Sequence, residues 1–567
     1  MILKPFTITL ILFIVLTPMT FPAGSRKPTP FKNVTMKGEL GTRFNSATAN
    51  LLTRQDRYSL DTYKSNASST PGALWPDWPG DQLGRMFSVL HVAEGYGWTQ
   101  AKPLRKSIGD VVLPCQTTAG NFGLEKQADP KDVRVISGNA FALRGLLDAY
   151  EDTGDPRYIN AARKLARYYE ARYDDWKGAK DGMLHEFYGH CIDGLVRLYE
   201  LGGDQWALDL AEKAGKRTGR THHTHHSLSM YRGVIDLYRT TGDRSFLDRA
   251  GNYLQWCREN CIVSGGLPES MPKSEEDEGC ALADYIVVNL MMFEATGKDS
   301  YIEEAERTLV NHFFMSQFHT GGFGHRAFAS DVIGGKQWQG WDGRFGSENP
   351  GCCSIWGEWA LGQVGRYIVT RDNGAIEINL YPEAVIEIPD LHILIKLDGD
   401  FPRMNFAGIT INCDKPVKSA LRLRVPSWTT GATVRLNGKD TGIPAQDGRI
   451  VLDRTWNSGD RIEITFAGSL RLVPYPDLNS DSVAIYDGPL CLALSSVDMD
   501  VNSYSQILVN VDGKLRLSPD GRPQSVNGKD EITTVFRPIA EDWLSPNIKN
   551  PNRLRVLFKK QIFFEYK

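Results

Sequence analysis

The sequence predicts a multidomain α + β chain, in which an (α/α)6 toroid, a barrel of six helical hairpins, is followed by β-sandwich domains. Amphipathic helical stretches recur in pairs up to about residue 370, and the same kind of turn separates the two helices of a pair. Beyond Asn373 apolar residues alternate with a period of two, which is typical of half-buried strands. The change of period divides the chain into a helical part and a β part.

The first 24 residues have the composition of a secretory signal peptide. Lys4 supplies a positive charge, residues 6–16 form an apolar core, and Pro22-Ala23-Gly24 suits a cleavage site. We therefore expect export to the periplasm or the extracellular space, and an uncleaved N-terminal anchor is the alternative. We interpret no later segment as a membrane span, so none is expected in the mature protein.

Residues 35–372 are predicted to form the helical barrel. Four turns in this part share a glycine, which can end a helix in the left-handed conformation, and an aspartate, which can begin the next helix. These turns are Gly154-Asp155, Gly203-Asp204, Gly242-Asp243 and Gly297-Lys298-Asp299. With further helices predicted at 81–95 and 354–369, about six hairpins fit. An open α-solenoid could have the same period, but the long loops rich in His, Trp and Gly favour closure.

The β part is predicted as a β-sandwich over residues 373–475 and a second β-rich domain over 476–567. Strands are expected at 375–381, 421–425 and 432–436, and Asn437-Gly438 is a hairpin turn signal. These domains could brace the barrel, bind sugar or mediate a homodimer. Nucleic-acid binding is not expected, because 65 basic and 68 acidic residues give a net charge of −3.

Four residues have the side chains of a metal site. Cys352 and Cys353 are adjacent, and Glu278 and Cys280 lie about seventy residues earlier. Three thiolates and one carboxylate match the ligand number and softness of tetrahedral zinc, and a thiolate held in this way could act as a nucleophile. The alternative is a pair of buried free cysteines at the start of a helix. Nine scattered cysteines do not form a disulfide framework.

The chain resembles the bacterial zinc-dependent β-L-arabinofuranosidases, which use a zinc-held cysteine as nucleophile. The resemblance covers about residues 75–495. It rests on Glu278-Gly279-Cys280-Ala281, on Cys352-Cys353, and on residues 421–428, 436–439 and 456–460 of the β part. It implies a retaining glycoside hydrolase with bound Zn2+, exo-acting on L-arabinofuranosides or a related sugar of plant-type glycans.

The resemblance also implies roles for single residues. Glu278, Cys280, Cys352 and Cys353 would be the zinc ligands, and Cys352 the nucleophile. Glu269, which follows a Gly-Gly pair as in the family, would be the general acid/base, with Glu275 and Glu276 as rivals.

Substrate contacts are expected from residues of several loops. The resemblance implies His190 and one of His225 or His226, and Asn139 stands where the family has another histidine. Trp341, in a loop with Trp338 and Arg344, could stack on a sugar face or pack at the barrel mouth.

Two other functions are compatible with the same pattern. Another (α/α)6 carbohydrate enzyme, such as a uronyl hydrolase or a lyase, would not need the cysteine pair. A non-catalytic glycan-binding protein could keep the zinc site as a structural element.

Overall fold

The computed structural model describes most of the barrel and the first β domain, and parts of the C-terminal domain. The described residues are 26–54, 56–70, 78–124, 133–177, 189–220, 223–260, 276–327, 332–333, 336–337, 348–468, 470–474, 482–495, 504–510, 515–519, 537–540, 554–555 and 557–563. The predicted signal segment, residues 1–24, lies outside this part.

The N-terminal part is helical, as predicted. Its helices are α1 (Gly38–Thr53), α2 (Leu60–Ser68), α3 (Asp81–Gly95), α4 (Ala101–Val112), α5 (Val133–Thr153), α6 (Pro156–Lys177), α7 (Ile192–Gly202), α8 (Gln205–Gly215), α9 (Thr224–Thr241), α10 (Arg244–Asn260), α11 (Gly279–Thr296), α12 (Asp299–Thr308), α13 (Phe314–Ser316) and α14 (Cys353–Tyr367). A π-helical turn, Leu309–Phe313, joins α12 to α13.

Six of these helices close a ring. The inner helices are α3, α5, α7, α9, α11 and α14, each of which packs against the next, and α14 packs against α3. The outer layer consists of α4, α6, α8, α10 and α12, each beside the inner helix that precedes it, and of α1, which packs on α14. The (α/α)6 toroid is confirmed, and the N-terminal helix α1 completes the sixth hairpin.

The hairpin turns have the backbone that the sequence predicts. In all four the glycine is left-handed, with φ between 65° and 73°, where a side chain would be strained. Asp155 accepts a hydrogen bond from the backbone N–H of Arg157, and Asp243 accepts one from Ser245, so both cap the helix that follows. Asp204 makes no such bond.

A two-sheet β-sandwich follows the barrel. Its strands are β1 (Lys27–Pro28), β2 (Val34–Met36), β7 (Val369–Asp372), β8 (Ala375–Ile378), β9 (Ala384–Ile388), β10 (Ile393–Gly399), β11 (Phe406–Cys413), β12 (Val417–Arg424), β13 (Ala432–Leu436), β14 (Lys439–Asp440), β15 (Arg449–Trp456) and β16 (Asp460–Phe466). One sheet has the order β1-β7-β8-β12-β15 and the other β14-β13-β16-β11-β10-β9-β2. The sandwich therefore begins earlier than the predicted residue 373, because it includes β1 and β2 from before α1 and β7 from just after α14.

The remaining strands form two short hairpins and a C-terminal sheet. The hairpins are β3 (Glu276–Glu278) with β4 (His325–Ala327), and β5 (Val332–Ile333) with β6 (Lys336–Gln337). The C-terminal sheet contains β17 (Leu470–Pro474), β18 (Ser482–Asp487), β19 (Leu490–Ser495), β20 (Tyr504–Asn510), β21 (Leu515–Pro519), β22 (Arg537–Pro538), β23 (Leu554–Arg555) and β24 (Leu557–Phe563).

Ion pairs, one of them fully buried, attach the sandwich to the outer helix α12. Arg424 Nη2 lies 2.5 Å from Glu306 Oε1, and both side chains are buried. Arg449 Nη2 lies 2.5 Å from Asp299 Oδ1. Removing Arg424 or Glu306 would leave a buried charge uncompensated, so this pair in particular holds the two domains together.

The helix α11 has the length and hydropathy of a membrane span, and it is the one helix among the described residues that does. However, 89% of it is buried inside the protein, since it belongs to the inner ring. The helix is apolar because it packs inside the barrel.

Burial raises the pKa of Glu358, in the middle of α14, to about 8. Thr48 donates a hydrogen bond of 2.8 Å to its Oε1, which opposes this rise. The unfolded chain then releases the proton near pH 4.5 and the folded chain near pH 8. The free energy of unfolding therefore falls as pH rises through this window, by at most about 1.4 kcal/mol for each pH unit.

We expect Glu358→Gln, which is neutral at every pH, to raise the melting temperature more at pH 8 than at pH 5. Exposed Glu387→Gln is the control, and melting of the three proteins across this pH range is the measurement. A difference between Glu358→Gln and the parent that does not change with pH would contradict the assignment.

Candidate active site

The four predicted ligand residues meet where two inner helices begin. Cys280 is the second residue of α11, Cys353 the first residue of α14, and Cys352 the residue that precedes α14. Glu278 ends β3 and precedes α11. Their side chains thus lie beside helix N-termini, where the backbone dipole stabilises negative charge.

The spacing of the ligand atoms fits a single metal ion. The three Sγ atoms and a carboxylate oxygen of Glu278 all lie within 4.8 Å of one another. Cys353 Sγ is 3.7 Å from Cys280 Sγ and 3.7 Å from Cys352 Sγ. Tetrahedral zinc, with Zn–S bonds of about 2.3 Å, would hold its sulphurs about 3.8 Å apart. These residues could therefore hold a metal ion such as zinc, and the eight described cysteines form no disulfide that would compete.

Gly279 allows the two helix starts to approach. A Cβ at this position would lie 3.2 Å from Cys353 Cβ and 3.1 Å from the carbonyl oxygen of Gly324. Its own N–H donates to that carbonyl, at 3.2 Å. A side chain at this position would therefore crowd both atoms, and the glycine of the Glu-Gly-Cys motif suits the close approach to the cysteine pair.

The three thiols differ in charge and in exposure. Hydrogen bonds from Cys280 and Cys353 hold the pKa of Cys352 well below the usual thiol range, and the positive charge of Arg85 adds to this. Burial raises the pKa values of Cys280 and Cys353. Cys352 is half-buried whereas the other two are fully buried. Among the three thiols, Cys352 therefore ionises most readily and is the one that a molecule entering the site can reach.

A buried arginine lies beside the cluster. Arg85 Nη1 is 3.8 Å from Cys280 Sγ, and Nε donates to Asp81 Oδ1 at 2.9 Å. The guanidinium lies 3.7 Å from the centre of the Phe141 ring. Sequence reasoning missed this residue, although the i,i+4 spacing of Asp81 and Arg85 on α3 is a recognisable signal.

His225 is held in one tautomer. Arg85 Nη2 lies 3.0 Å from its Nε2, and Nδ1 lies 2.6 Å from Asp284 Oδ2. A guanidinium only donates, so Nε2 accepts and Nδ1–H donates to Asp284. Burial lowers the pKa of His225, which agrees with a neutral ring. Asp284 also accepts from Trp356 Nε1 at 2.9 Å, which fixes the wall of the site.

The other predicted histidines lie in the same wall. His190 is buried, with Nδ1 2.9 Å from Ser137 Oγ and Nε2 3.0 Å from the carbonyl oxygen of His226. His226 stacks on His223 with ring centres 4.3 Å apart. His223 Nε2 lies 3.8 Å from Glu278 Oε2. The histidine beside this predicted ligand residue is therefore one for which the sequence predicted no specific role.

The structure corrects the role expected for Asn139. Its side chain is fully buried, and its amide group bonds to backbone on both sides. The Oδ1 atom accepts from the N–H of Phe122 at 2.7 Å, and Nδ2 donates to the carbonyl oxygen of Val135 at 2.8 Å. The amide anchors the chain at Phe122 to α5 and does not face the site.

Two family models match this chain in the order of its domains. One, described as the catalytic domain of GH127 β-L-arabinofuranosidase, matches residues 141–325. The other, described as the GH127 middle domain, matches residues 375–467, within the sandwich. The chain belongs to the GH127 β-L-arabinofuranosidase family. It is therefore a glycoside hydrolase, as predicted.

Solved structures share the fold along nearly the whole chain. A GH127 β-L-arabinofuranosidase from Geobacillus stearothermophilus T6 is 15% identical, with a TM-score of 0.71 over 93% of this chain and 100% of its own. The GH127 β-arabinofuranosidase BT3674 is 17% identical, with a TM-score of 0.71 over 94% and 98%. A protein described as a glycoside hydrolase is 18% identical, with a TM-score of 0.70 over 96% and 99%. No curated protein matches.

Some residues expected in this GH127 site lie outside the described residues. They are Glu269, Glu275 and Trp341. Glu276 begins β3, opposite Ala327 of β4.

A separate cavity of about 580 Å3 lies inside the ring of helices, away from the thiol cluster. All six inner helices and residues of β1 line it, with charged side chains such as Arg144, Asp193 and Arg239. Arg232 borders it and pairs with both Asp193 and Asp284, at 3.1 Å each. Since Asp284 also holds His225, this ion-paired layer separates the cavity from the thiol cluster.

Proposed function

We propose that this GH127 protein is an exported, zinc-dependent, retaining exo-hydrolase that releases L-arabinofuranose from plant-type glycans. The observation that carries the proposal is the cluster of three thiols and Glu278, in which the half-buried Cys352 has the lowest thiol pKa. A structural zinc site encloses its ligands, whereas a reacting thiolate must be reachable.

The residues of the chain divide the reaction into two steps. In the first, the Cys352 thiolate attacks the anomeric carbon and forms a C–S bond while the glycosidic C–O bond breaks. Glu269, or Glu275 or Glu276 in its place, gives its proton to the departing oxygen. In the second, the same carboxylate takes a proton from water, whose oxygen displaces the sulphur and frees the thiolate. Bound zinc would keep the thiols ionised at neutral pH.

The wall of histidines suits the recognition of a small polyhydroxylated sugar. Burial holds the pKa values of His190 and His226 well below the ordinary histidine range. A neutral ring offers one donor and one acceptor, which matches sugar hydroxyls. Both nitrogens of His190 already bond to Ser137 and to the backbone of His226, so His190 would support the site from behind. We propose His226 as a substrate contact, with His223 beside it, and Trp341 as a stacking residue.

The proposal is tested with aryl α- and β-L-arabinofuranosides and the matching pyranosides, together with zinc analysis of the purified protein. We expect about one zinc per chain, turnover on one furanoside, and a first-formed sugar that keeps the anomeric configuration of the substrate. Inversion would exclude a cysteine nucleophile. Bound zinc without turnover on any arabinoside would instead indicate a glycan-binding protein.

A further inference from the structure

The chain stays helical beyond the last residue of the outer helix α12, but its hydrogen-bond pattern changes. It continues through the π-helical turn Leu309–Phe313 into α13. A π-helical turn is rare, and within an α-helix it is commonly found at functional sites. Two fully buried polar side chains, Asn311 and His312, follow one another in this turn.

Asn311 binds the C-terminal sheet. Its Nδ2 donates to the carbonyl oxygen of Pro489 at 2.9 Å, and its Oδ1 accepts from the N–H of Cys491 at 2.7 Å. Nδ2 also donates to the carbonyl oxygen of Arg307 at 2.7 Å, within the helix. Replacing this amide would leave buried backbone groups of the β18–β19 hairpin unpaired, which is costly.

His312 binds the strand that carries a ligand residue. Its Nδ1 lies 2.6 Å from Asp277 Oδ2, and both side chains are completely buried. Asp277 directly precedes Glu278 in β3, and successive side chains of a strand point to opposite faces. Asp277 therefore holds β3 from one face while Glu278 reaches the thiols from the other.

We propose that the β18–β19 hairpin positions Glu278 through Asn311, His312 and Asp277, so that the docking of the C-terminal sheet is coupled to metal binding. The proposal rests on the proposed metal centre. Asn311 and His312 are positioning residues, since neither contacts the ligand atoms. Coupling between two sites is reciprocal, so the metal must stabilise the docked sheet as much as the sheet favours the metal.

The first experiment measures zinc affinity by competition with a chelator. We expect His312→Ala and Asn311→Ala to bind zinc about 10–100-fold more weakly, as loss of a group that orients a ligand does. His312→Asn should recover part of the affinity, because its amide can donate to Asp277 where Nδ1 does. The control is Asn379→Ala, a buried amide that bonds Tyr367 and Arg449 where the barrel meets the sandwich. It should destabilise the fold without changing zinc affinity.

The second experiment needs no variant. Amide hydrogen exchange at Cys491, whose N–H bonds to Asn311, should become faster in the parent when zinc is removed. A purely structural role of the turn predicts unchanged exchange there, and zinc affinities of His312→Ala and Asn311→Ala equal to that of the parent. Either result overturns the coupling while leaving the metal centre intact. A parent protein that binds no zinc overturns both.

Discussion

Cys352→Ser is expected to lower kcat/KM on an aryl L-arabinofuranoside by more than about a thousandfold, because an alcohol is a far weaker nucleophile than a thiolate. The neighbouring groups support this size of effect. The hydrogen bonds of Cys280 and Cys353 and the charge of Arg85 lower the pKa of Cys352, and none of them would ionise a serine hydroxyl. The measurement is kcat/KM of the purified variant at matched zinc content.

Two controls separate chemistry from general damage. Cys413→Ser changes a half-buried cysteine of β11 in the sandwich, and we expect it to leave kcat/KM near that of the parent. A mechanism-based arabinosyl reagent should label Cys352 in the parent, located by peptide mass spectrometry, and should leave the Cys352→Ser variant unlabelled. Labelling of a glutamate would show that a carboxylate attacks the sugar instead.

The barrel was predictable because its signals are local. A glycine that needs positive φ and an aspartate that caps the next helix lie within a few residues, as at Gly154-Asp155 and Gly242-Asp243. Strands β1 and β2 have two and three residues, too few to show a period. Their place in the sandwich is decided by pairing with strands more than three hundred residues later.

The grouping of the four predicted ligand residues could be anticipated from their chemistry. Three soft thiols and a carboxylate have few common uses together, so Cys280 and Cys353 could be grouped across the sequence. The residues that surround this cluster could not be predicted from the sequence. An i,i+4 pair such as Asp81 and Arg85 occurs on many exposed helices, and here closure of the ring buries it.

For Asn139, the sequence predicted a substrate contact where the structure shows bonds to the backbone. A position taken from a family pattern was expected to keep its role with a different side chain. An amide, however, can bond a backbone N–H and a carbonyl at once, and Asn139 does so with Phe122 and Val135. The Asn139 side chain therefore stabilises the backbone of its own domain.

The second large effect is expected from replacing a proposed zinc ligand other than Cys352. Cys280→Ala should weaken zinc binding by at least about a hundredfold and lower the melting temperature, because the binding energy of such a site is also folding energy. Cys257→Ala is the matched control, since it removes another fully buried thiol, in α10, that does not belong to the cluster. Zinc analysis and thermal melting with and without a chelator are the measurements.

The control separates the effect of losing the metal on stability from the effect of the cavity that the substitution leaves. Both variants lose one buried sulphur atom, so both should melt below the parent by a similar amount once zinc is removed. Only the Cys257→Ala variant should regain stability when zinc is added back. A Glu278→Ala, Cys280→Ala double variant that retains a full zinc content would contradict the ligand set. Because thiols and carboxylates bind zinc only when deprotonated, the parent should also lose its metal progressively as pH falls.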